Sequence, residues 1–473
     1  MAEVEQDRIR QIVEQVVKNL REEGAITPGV VPTAAGMGNG IFADVDAALD
    51  AAEEAQKRLM EFNLEKRKEI IDAIRQVSLK NSRMLAEMAV DETKIGRVEH
   101  KVMKNEGAAN LSPGVEDLSS EAISGSNGLL LIEHAPYGVI NAITPITNPT
   151  STVINNSIIM IAAGNTVIYS PHPGAKKSTQ KTMTLLNEAI VEAGGPANLQ
   201  TCVAEPTLRT AKQIMEHPKV KMIVATGGGS VVKAALSTGK KAIAAGPGNP
   251  PVIVDETADI PKAGRDIIAG SSFDNNILCI GEKAVFVLEE VANSLMDELE
   301  KNGGQFVTNV ELKKIEALLV KDGGMNKDYV GKDASVILAD AGIKANTGVL
   351  MILAETSADH IFVKEEFLMP ILPVVRVKTF DGAVQLAVKT EGGNRHTAII
   401  HSKNIDNITK YARAIGTTVF VVNAPSYASE GLEGEGFLAM TIAGPTGEGF
   451  TRPIHFTRER RTTFASAASV HTL

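Results

Sequence analysis

The chain of 473 residues has no tryptophan, five tyrosines and two cysteines. Aromatic residues are 4% of the total, which leaves few rings to stack on the bases of a single-stranded nucleic acid. Asp and Glu outnumber Lys and Arg by 57 to 48, and a net charge of −9 opposes a phosphate backbone as partner. No nucleic-acid role is expected. The two cysteines, at 202 and 279, make no disulfide framework and fit a reducing bacterial cytoplasm. The longest apolar runs are broken by Gly, Asn or charge, so no membrane span is expected. The opening MAEVEQDRIR lacks the basic-then-apolar order of a secretory leader. Nine histidines give no metal pattern, His396 and His401 standing five apart with no cysteine nearby. What is present is 44% hydrophobic and 22% charged residues over more than one domain's length, the profile of a multi-lobed globular enzyme.

Residues 1–23 differ from the rest. Ile9, Ile12, Val13, Val16, Val17 and Leu20 recur at spacings of three and four and share one stripe of a helix. The Gly- and Pro-rich residues 24–40 read as a flexible linker. A helix of about 20 residues on a tether is marginal alone and needs a partner for its apolar face. It either folds back on its own domain or docks on another protein, and the length of the linker favours docking.

From Ile41 the pattern alternates strand and helix, which implies parallel sheets covered on both faces. PYGVINAITP, NTVIYSP, NLQTCVAE, VKMIVAT, KKAIAAG and PPVIVD read as strands, then AVFVLEE, ASVILAD, VLMILAE, LPVVRV, HTAIIHS and TVFVVN. The fold class is therefore α/β with two lobes. In VKMIVATGGGSVVKAA three glycines, Gly227, Gly228 and Gly229, join a strand to a helix, where exposed N–H groups suit a phosphate and where a plain turn is the simpler reading.

The stretch FDNNILCIGEK (273–283) places Cys279 after two carboxamides and ahead of a strand. A free cysteine is commonly a small buried hydrophobe, and Cys202 in its short strand fits that role. Cys279 sits instead at a helix–strand junction, where main-chain N–H groups and the amides of Asn275 and Asn276 offer a polarised setting for a thiolate and an oxyanion. His396 stands at the entrance to a strand, either as a reactive group or as a hydrogen-bonded loop residue.

FDNNILC, AAGPGNPPVIVDETAD (244–259), EEFLMPILPVVRV (365–377) and AGPTGEGFT (443–451), in that arrangement, resemble the CoA-acylating aldehyde dehydrogenases, in particular the propionaldehyde and acetaldehyde dehydrogenases of bacterial microcompartments. The resemblance runs from about Gly40 to about Arg461, and the N-terminal helix resembles that family's encapsulation peptide. It implies two Rossmann-like α/β lobes plus an oligomerisation arm. The nicotinamide-binding lobe would span 41–250 with arm strands at about 120–136, the catalytic lobe 251–435, and a return segment with the C-terminal arm strand 436–473. It implies NAD as cofactor, CoA and a short aldehyde as substrates, a homodimer or homotetramer, shell or core proteins as partners of residues 1–20, and the microcompartment lumen as location.

The resemblance also assigns roles. Cys279 matches the nucleophile, which attacks the aldehyde, gives up hydride to the nicotinamide, and holds the acyl group until CoA takes it. Thr147 aligns with the oxyanion asparagine of hydrolytic relatives, and Asn148 lies one residue along, so both are candidates. The cofactor would meet Thr144, Pro145 and Ile146 at one strand end and Ser170, His172 and Pro173 at the next. It would also meet the turn Gly227, Gly228, Gly229, Ser230 and Val231, and Gly246, Glu366 and Leu368. Glu366 matches the residue that holds the nicotinamide ribose, Ser170 replaces the superfamily's ribose-reading lysine, and His396 would aid proton transfer at the sulfur or the CoA thiol. Ala244 stands where hydrolytic relatives carry a glutamate base, and no carboxylate able to activate water is expected beside the sulfur. The competing readings are a hydrolytic aldehyde or semialdehyde dehydrogenase, and a non-catalytic microcompartment assembly protein. Deleting residues 1–20 is expected to leave turnover intact and to abolish co-localisation with shell proteins. Equal localisation of the truncated protein in a fluorescence assay would remove the docking role.

Overall fold

The structure is a computed structural model that describes residues 39–468. The expected docking helix and all but the end of its linker lie outside the described residues. Six strands form a parallel sheet in the order Ile41–Phe42, Gln200–Val203, Thr166–Pro171, Val139–Thr144, Val220–Thr226, Lys241–Ala245. Along Val220–Thr226, Met222 and Val224 enter one apolar cluster with Ile70, Ile74, Ile154 and Ile158 of two helices, while Ile223 and Ala225 enter another with Val45, Leu49 and Ala52 of a third. Burial on both faces is why these strands read as unbroken apolar runs.

After the edge strand Ile41–Phe42, the chain enters the centre of this sheet with Val139–Thr144, moves outward through Thr166–Pro171 and Gln200–Val203, and then lays Val220–Thr226 on the other side of the centre. That reversal leaves a crevice between the carboxyl ends of Val139–Thr144 and Val220–Thr226, the standard ligand position of an open α/β sheet.

A second parallel sheet has seven strands, ordered Gly304–Phe306, Met351–Glu355, Ile371–Val377, Ala284–Leu288, Pro251–Val254, Thr397–His401, Val419–Val422. One expected strand is absent: ASVILAD is the helix Ala334–Asp340. Ala334, Ile337 and Leu338 are its buried residues, a three-and-four spacing, with Ser335, Val336, Ala339 and Asp340 exposed. The short apolar segment carried no strand alternation, and its period decides for helix.

The chain crosses from the last strand of the first sheet, Lys241–Ala245, to Pro251–Val254 of the second through residues 246–250. The second sheet offers its amino-terminal edge here: Cys279 precedes Ala284–Leu288, and Glu366 and Leu368 precede Ile371–Val377. Glu121–Gly125, Gly128–Pro136 and Thr457–Ala465 pair as a separate antiparallel sheet of three strands, the expected arm, with Ile123 and Phe464 half exposed.

Helix Ile260–Ser272 delivers the chain to the cysteine loop and crosses helix Glu289–Lys301 at Gly264, where an added Cβ would stand 2.5 Å from Glu298 Cβ and 3.0 Å from its carbonyl carbon. The Gly264→Ala variant is expected to lose about 1–3 kcal/mol by overpacking. A thermal midpoint equal to that of the parent protein would show that the two helices separate freely.

Candidate active site

The cysteine loop begins with an unusual backbone. Asp274, Asn275 and Asn276 have φ of 50°, 58° and 64°, three successive residues in the left-handed region. Asp and Asn tolerate this conformation better than any other residues with a side chain, which accounts for the Asp-Asn-Asn run ahead of Cys279. The two amides then lock the turn. Asn275 Nδ2 donates to Gly331 O at 2.8 Å and to Asp333 Oδ1 at 2.9 Å. Asn276 Nδ2 donates to Glu282 O at 3.2 Å, and its Oδ1 accepts from Lys283 Nζ at 2.7 Å. Both are thus engaged in holding the loop, and the expectation that they serve an oxyanion is replaced by this structural role.

Two buried charge centres hold the turn from either side. The Asp274 carboxylate, fully buried, accepts from Lys101 Nζ at 3.1 Å, from Lys104 Nζ, and from the Arg97 main-chain N–H at 2.6 Å. Burial alone would raise its pKa, but Lys104 and Lys101 outweigh burial and hold it at about 2. Lys101 and Lys104 are three apart on helix Val98–Leu111 and so share one face. Lys283, on the other side, donates to the carbonyls of Leu278 at 2.8 Å and of Asn276 and Gly281 at 3.2 Å. Cys279 lies between them in the chain, five residues after Asp274 and four before Lys283.

The sulfur faces a cavity of about 1010 Å³ between the carboxyl edge of the first sheet and the amino edge of the second. The cavity brings together Cys279, Thr147, Asn148, Thr144, Pro145, Ile146, Ser170, His172, Pro173, Gly227, Gly228, Ser230, Val231, Gly246, Glu366 and Leu368. Two expected residues are not on its wall. Gly229 is the first residue of helix Gly229–Leu236 and follows the turn proper. His396 is buried, shares Nδ1 with Thr397 Oγ1 at 2.8 Å, and is held neutral by burial and by Lys283, with its pKa lowered to about 4. Its ring lies against Gly248, where an added Cβ would stand 3.1 Å from His396 Cγ and 2.4 Å from the Cys279 carbonyl oxygen.

One cavity carboxyl, Glu430, escaped the sequence reading. Glu430 lines the cavity, accepts from Ala439 N–H at 2.9 Å, and is raised to about 8 by burial. Glu366 is raised to about 7 by burial, moderated by Lys283 and by the Gly248 N–H. Ala244 is buried off the wall, while Glu366 and Glu430 share the cavity with Cys279 and disfavour its thiolate. Glu430 ends the short 3-10 helix Ser426–Glu430, 151 residues beyond the cysteine, with no local motif to mark it.

The cavity suits a dinucleotide on two counts. Thr144 Oγ1 is buried with no partner, an orphan at the end of the central strand. None of Gly227, Gly228 and Gly229 has a positive φ, and an added Cβ on any of them would meet nothing within 4 Å. Neither turn geometry nor packing requires these glycines, whereas close approach of a phosphate to bare backbone does.

The model of the aldehyde dehydrogenase family matches residues 26–437. The chain belongs to the aldehyde dehydrogenase family. It is 47% identical over 467 residues to the acetaldehyde dehydrogenase (acetylating) EutE of Escherichia coli (strain K12), covering 97% of this chain and 99% of that protein. A propionaldehyde dehydrogenase from the fucose utilisation bacterial microcompartment of Clostridium phytofermentans has a TM-score of 0.90 at 46% identity, over 91% of this chain and 99% of its own. A propionaldehyde dehydrogenase of Rhodopseudomonas palustris, solved with bound CoA and an acylated cysteine, has a TM-score of 0.89 at 46% identity, over 91% of this chain and 99% of its own. The two-lobed fold anticipated from the family resemblance is the one found.

In this enzyme the thiol of Cys279 is pushed up to about 12 by burial and by the Glu366 charge, against Lys283. The free enzyme therefore holds it protonated, and below that pKa the thiolate fraction grows tenfold per pH unit. Alkylation of Cys279 by iodoacetamide, followed on its peptide by mass, is expected to accelerate about tenfold per unit from pH 7 to 9 and to be faster in Glu366→Gln. A plateau below pH 8 would contradict a buried neutral thiol.

Proposed function

We propose that this chain is a CoA-acylating aldehyde dehydrogenase that converts a short aliphatic aldehyde, acetaldehyde or propionaldehyde, with CoA and NAD to acyl-CoA and NADH. The observation that carries the reading is a single cysteine facing a cavity built for a dinucleotide, with alanine at the position of the hydrolytic base. The acetylating and propionaldehyde-directed names of its relatives support the substrate class.

Cys279 Sγ adds to the aldehyde carbon, forming a carbon–sulfur bond while the thiol proton leaves to solvent. Asn148 and Thr147, both on the cavity wall, meet the charge that develops on the carbonyl oxygen. Bound nicotinamide supplies a hydride acceptor. Gly227, Gly228 and Ser230 would carry its pyrophosphate, Thr144 Oγ1 and Glu366 its polar edges, and Ser170 its adenosine ribose. Ser170 accepts from Asn141 Nδ2 at 2.9 Å, so its oxygen is oriented, and the residue itself carries no charge to select for or against a 2′-phosphate. NAD is the cofactor proposed, and NADP is the control. The acyl group remains on Cys279 until the CoA sulfur attacks it, re-forming the Cys279 thiolate as leaving group.

Relatives from a microcompartment support the same setting for this chain, with residues 1–20 as the docking element and the three-stranded arm as the homodimer or homotetramer contact. A hydrolytic reading also has an observation behind it, the carboxyl of Glu430 in the cavity. Burial to about pKa 8 keeps that carboxyl largely protonated at neutral pH, which removes it as a base for water.

The deciding assay follows NADH from C2 to C4 aldehydes with and without CoA. Without CoA the expected trace is a burst of about one NADH per Cys279 and then a stall. CoA is expected to restore turnover at least about 100-fold faster, the scale of a missing general base. Undiminished steady turnover to carboxylate without CoA would select the hydrolytic enzyme, and an undiminished burst in Cys279→Ala would end the proposal altogether.

A further inference from the structure

The cavity wall carries a chain of hydrogen bonds with a definite direction. It begins at the Asp274 carboxylate, which accepts from Lys104. Lys104 Nζ also donates to Asn148 Oδ1, and Asn148 Nδ2 donates to Thr147 Oγ1 at 3.2 Å. A carboxamide has nearly the same shape with its oxygen and nitrogen exchanged, so something must fix which end faces the sulfur's chamber. In its ammonium form, paired with Asp274, Lys104 offers only donors, so the end of Asn148 turned to it is the oxygen. The NH₂ group is then turned the other way, with one N–H spent on the Thr147 hydroxyl and one left. Thr147 Oγ1, already accepting, keeps its own O–H to give.

We propose, resting on the acyl-transfer reading above, that Lys104 is a positioning residue that sets the polarity of the Asn148–Thr147 pair, so that both present donors where negative charge develops beside Cys279. Two further observations support it. Lys101, one turn earlier on the same helix face, donates to the Thr147 main-chain oxygen at 2.8 Å and to the same Asp274 oxygen, so both members of the pair are fixed from one anchor. Lys104, Thr147, Asn148 and Cys279 also line one cavity, so the relay ends at the sulfur's chamber and not in the protein interior. With the amide reversed, the pair would offer a carbonyl oxygen to an oxyanion and repel it. The choice between Thr147 and Asn148 that the sequence left open is resolved as a coupled pair.

The test compares the burst of NADH formation, the acylation of Cys279 by propionaldehyde, in Lys104→Met, Lys104→Arg, Asn148→Asp, Asn148→Ala and the double variant Lys104→Met/Asn148→Ala. NADH affinity by its fluorescence and Cys279 alkylation are read in parallel. Lys104→Met is expected to slow the burst about 100-fold, the scale of losing one oxyanion donor, with NADH affinity within twofold. Lys104→Arg, still purely a donor, is expected to recover most of the rate. In the Asn148→Ala background the Lys104→Met change is expected to add less than about threefold, because its route of action is already gone. Asn148→Asp keeps the shape and the contact to Lys104 but replaces the NH₂ by an acceptor, so it is expected to be as slow as Lys104→Met. It decides the matter if Lys104→Met does not fold. A Lys104→Met burst within threefold of the parent, a multiplicative loss in the double variant, or a fast Asn148→Asp would overturn the inference. A parent enzyme with no aldehyde-dependent burst would instead overturn the acyl-transfer reading.

Discussion

One buried carboxylate organises the reactive loop. Asp274 has left-handed backbone geometry, no exposure, and two ammonium groups on a single oxygen. An isolated charge there would be expelled or neutralised, so the anion persists only because Lys101 and Lys104 reach it from another element. The dependence is mutual. Burial alone drives Lys104 down, and even with Asp274 opposing it the pKa settles near 7. Removing the carboxylate would leave two cations in an apolar interior, and removing both lysines would leave an anion in a turn that is already strained. Cys279 is placed five residues after this knot, and Lys283 gathers the intervening carbonyls so that the chain has little freedom between the two.

The sign of the local field follows from this arrangement. Glu366, Glu430 and Glu282 are all raised toward or past neutrality by burial, with Glu282 at about 7. Lys101 and Asp274 cancel each other, and Lys283 remains among carbonyls. A site whose carboxyls are half or more protonated at neutral pH offers little to a water molecule that needs a base. It offers more to groups that acquire negative charge, such as an oxyanion or a departing thiolate. The preference for thiol over water thus does not rest on Ala244 alone. It rests equally on the desolvation that keeps the remaining carboxyls from acting as bases.

Sequence legibility divided along a physical line. The alternation of buried strands and helices was readable because each element carries its own period, and the sheets stand where VINAIT, TVIYSP and VKMIVAT placed them. ASVILAD was misread because seven residues with three buried apolar positions are too few to separate a buried strand from a helix. Cys279 and the glycine turn were readable from residue type and their strand-edge positions. The partners that make the cysteine's setting were not. Lys104 is 170 residues before Asp274 in the chain, and Glu430 is 151 residues after Cys279. Only the folded topology brings such groups together, and no local pattern encodes it. The run Asp-Asn-Asn did carry a signal, a left-handed backbone, which a reading centred on the thiol took for oxyanion donors.

The crossing between the sheets ties the cysteine loop to the second sheet. Residues 246–250 pass beside Cys279, and Asn249 Nδ2 ties them to the main-chain oxygens of Val363 at 2.9 Å and Thr390 at 3.1 Å. Gly248 is wedged against the Cys279 carbonyl and the His396 ring, with no room for a side chain. His396, neutral and off the cavity wall, therefore meets the cysteine through Gly248 and its main chain, and a larger or smaller ring there would shift the sulfur without any proton changing hands. A shift of that kind matters most in a step whose rate depends on alignment, because a misplacement of about 1 Å costs on the order of 100-fold. The crossing segment thus couples three things at one point: the last strand of the first sheet, the strand Pro251–Val254 of the second, and the position of Cys279.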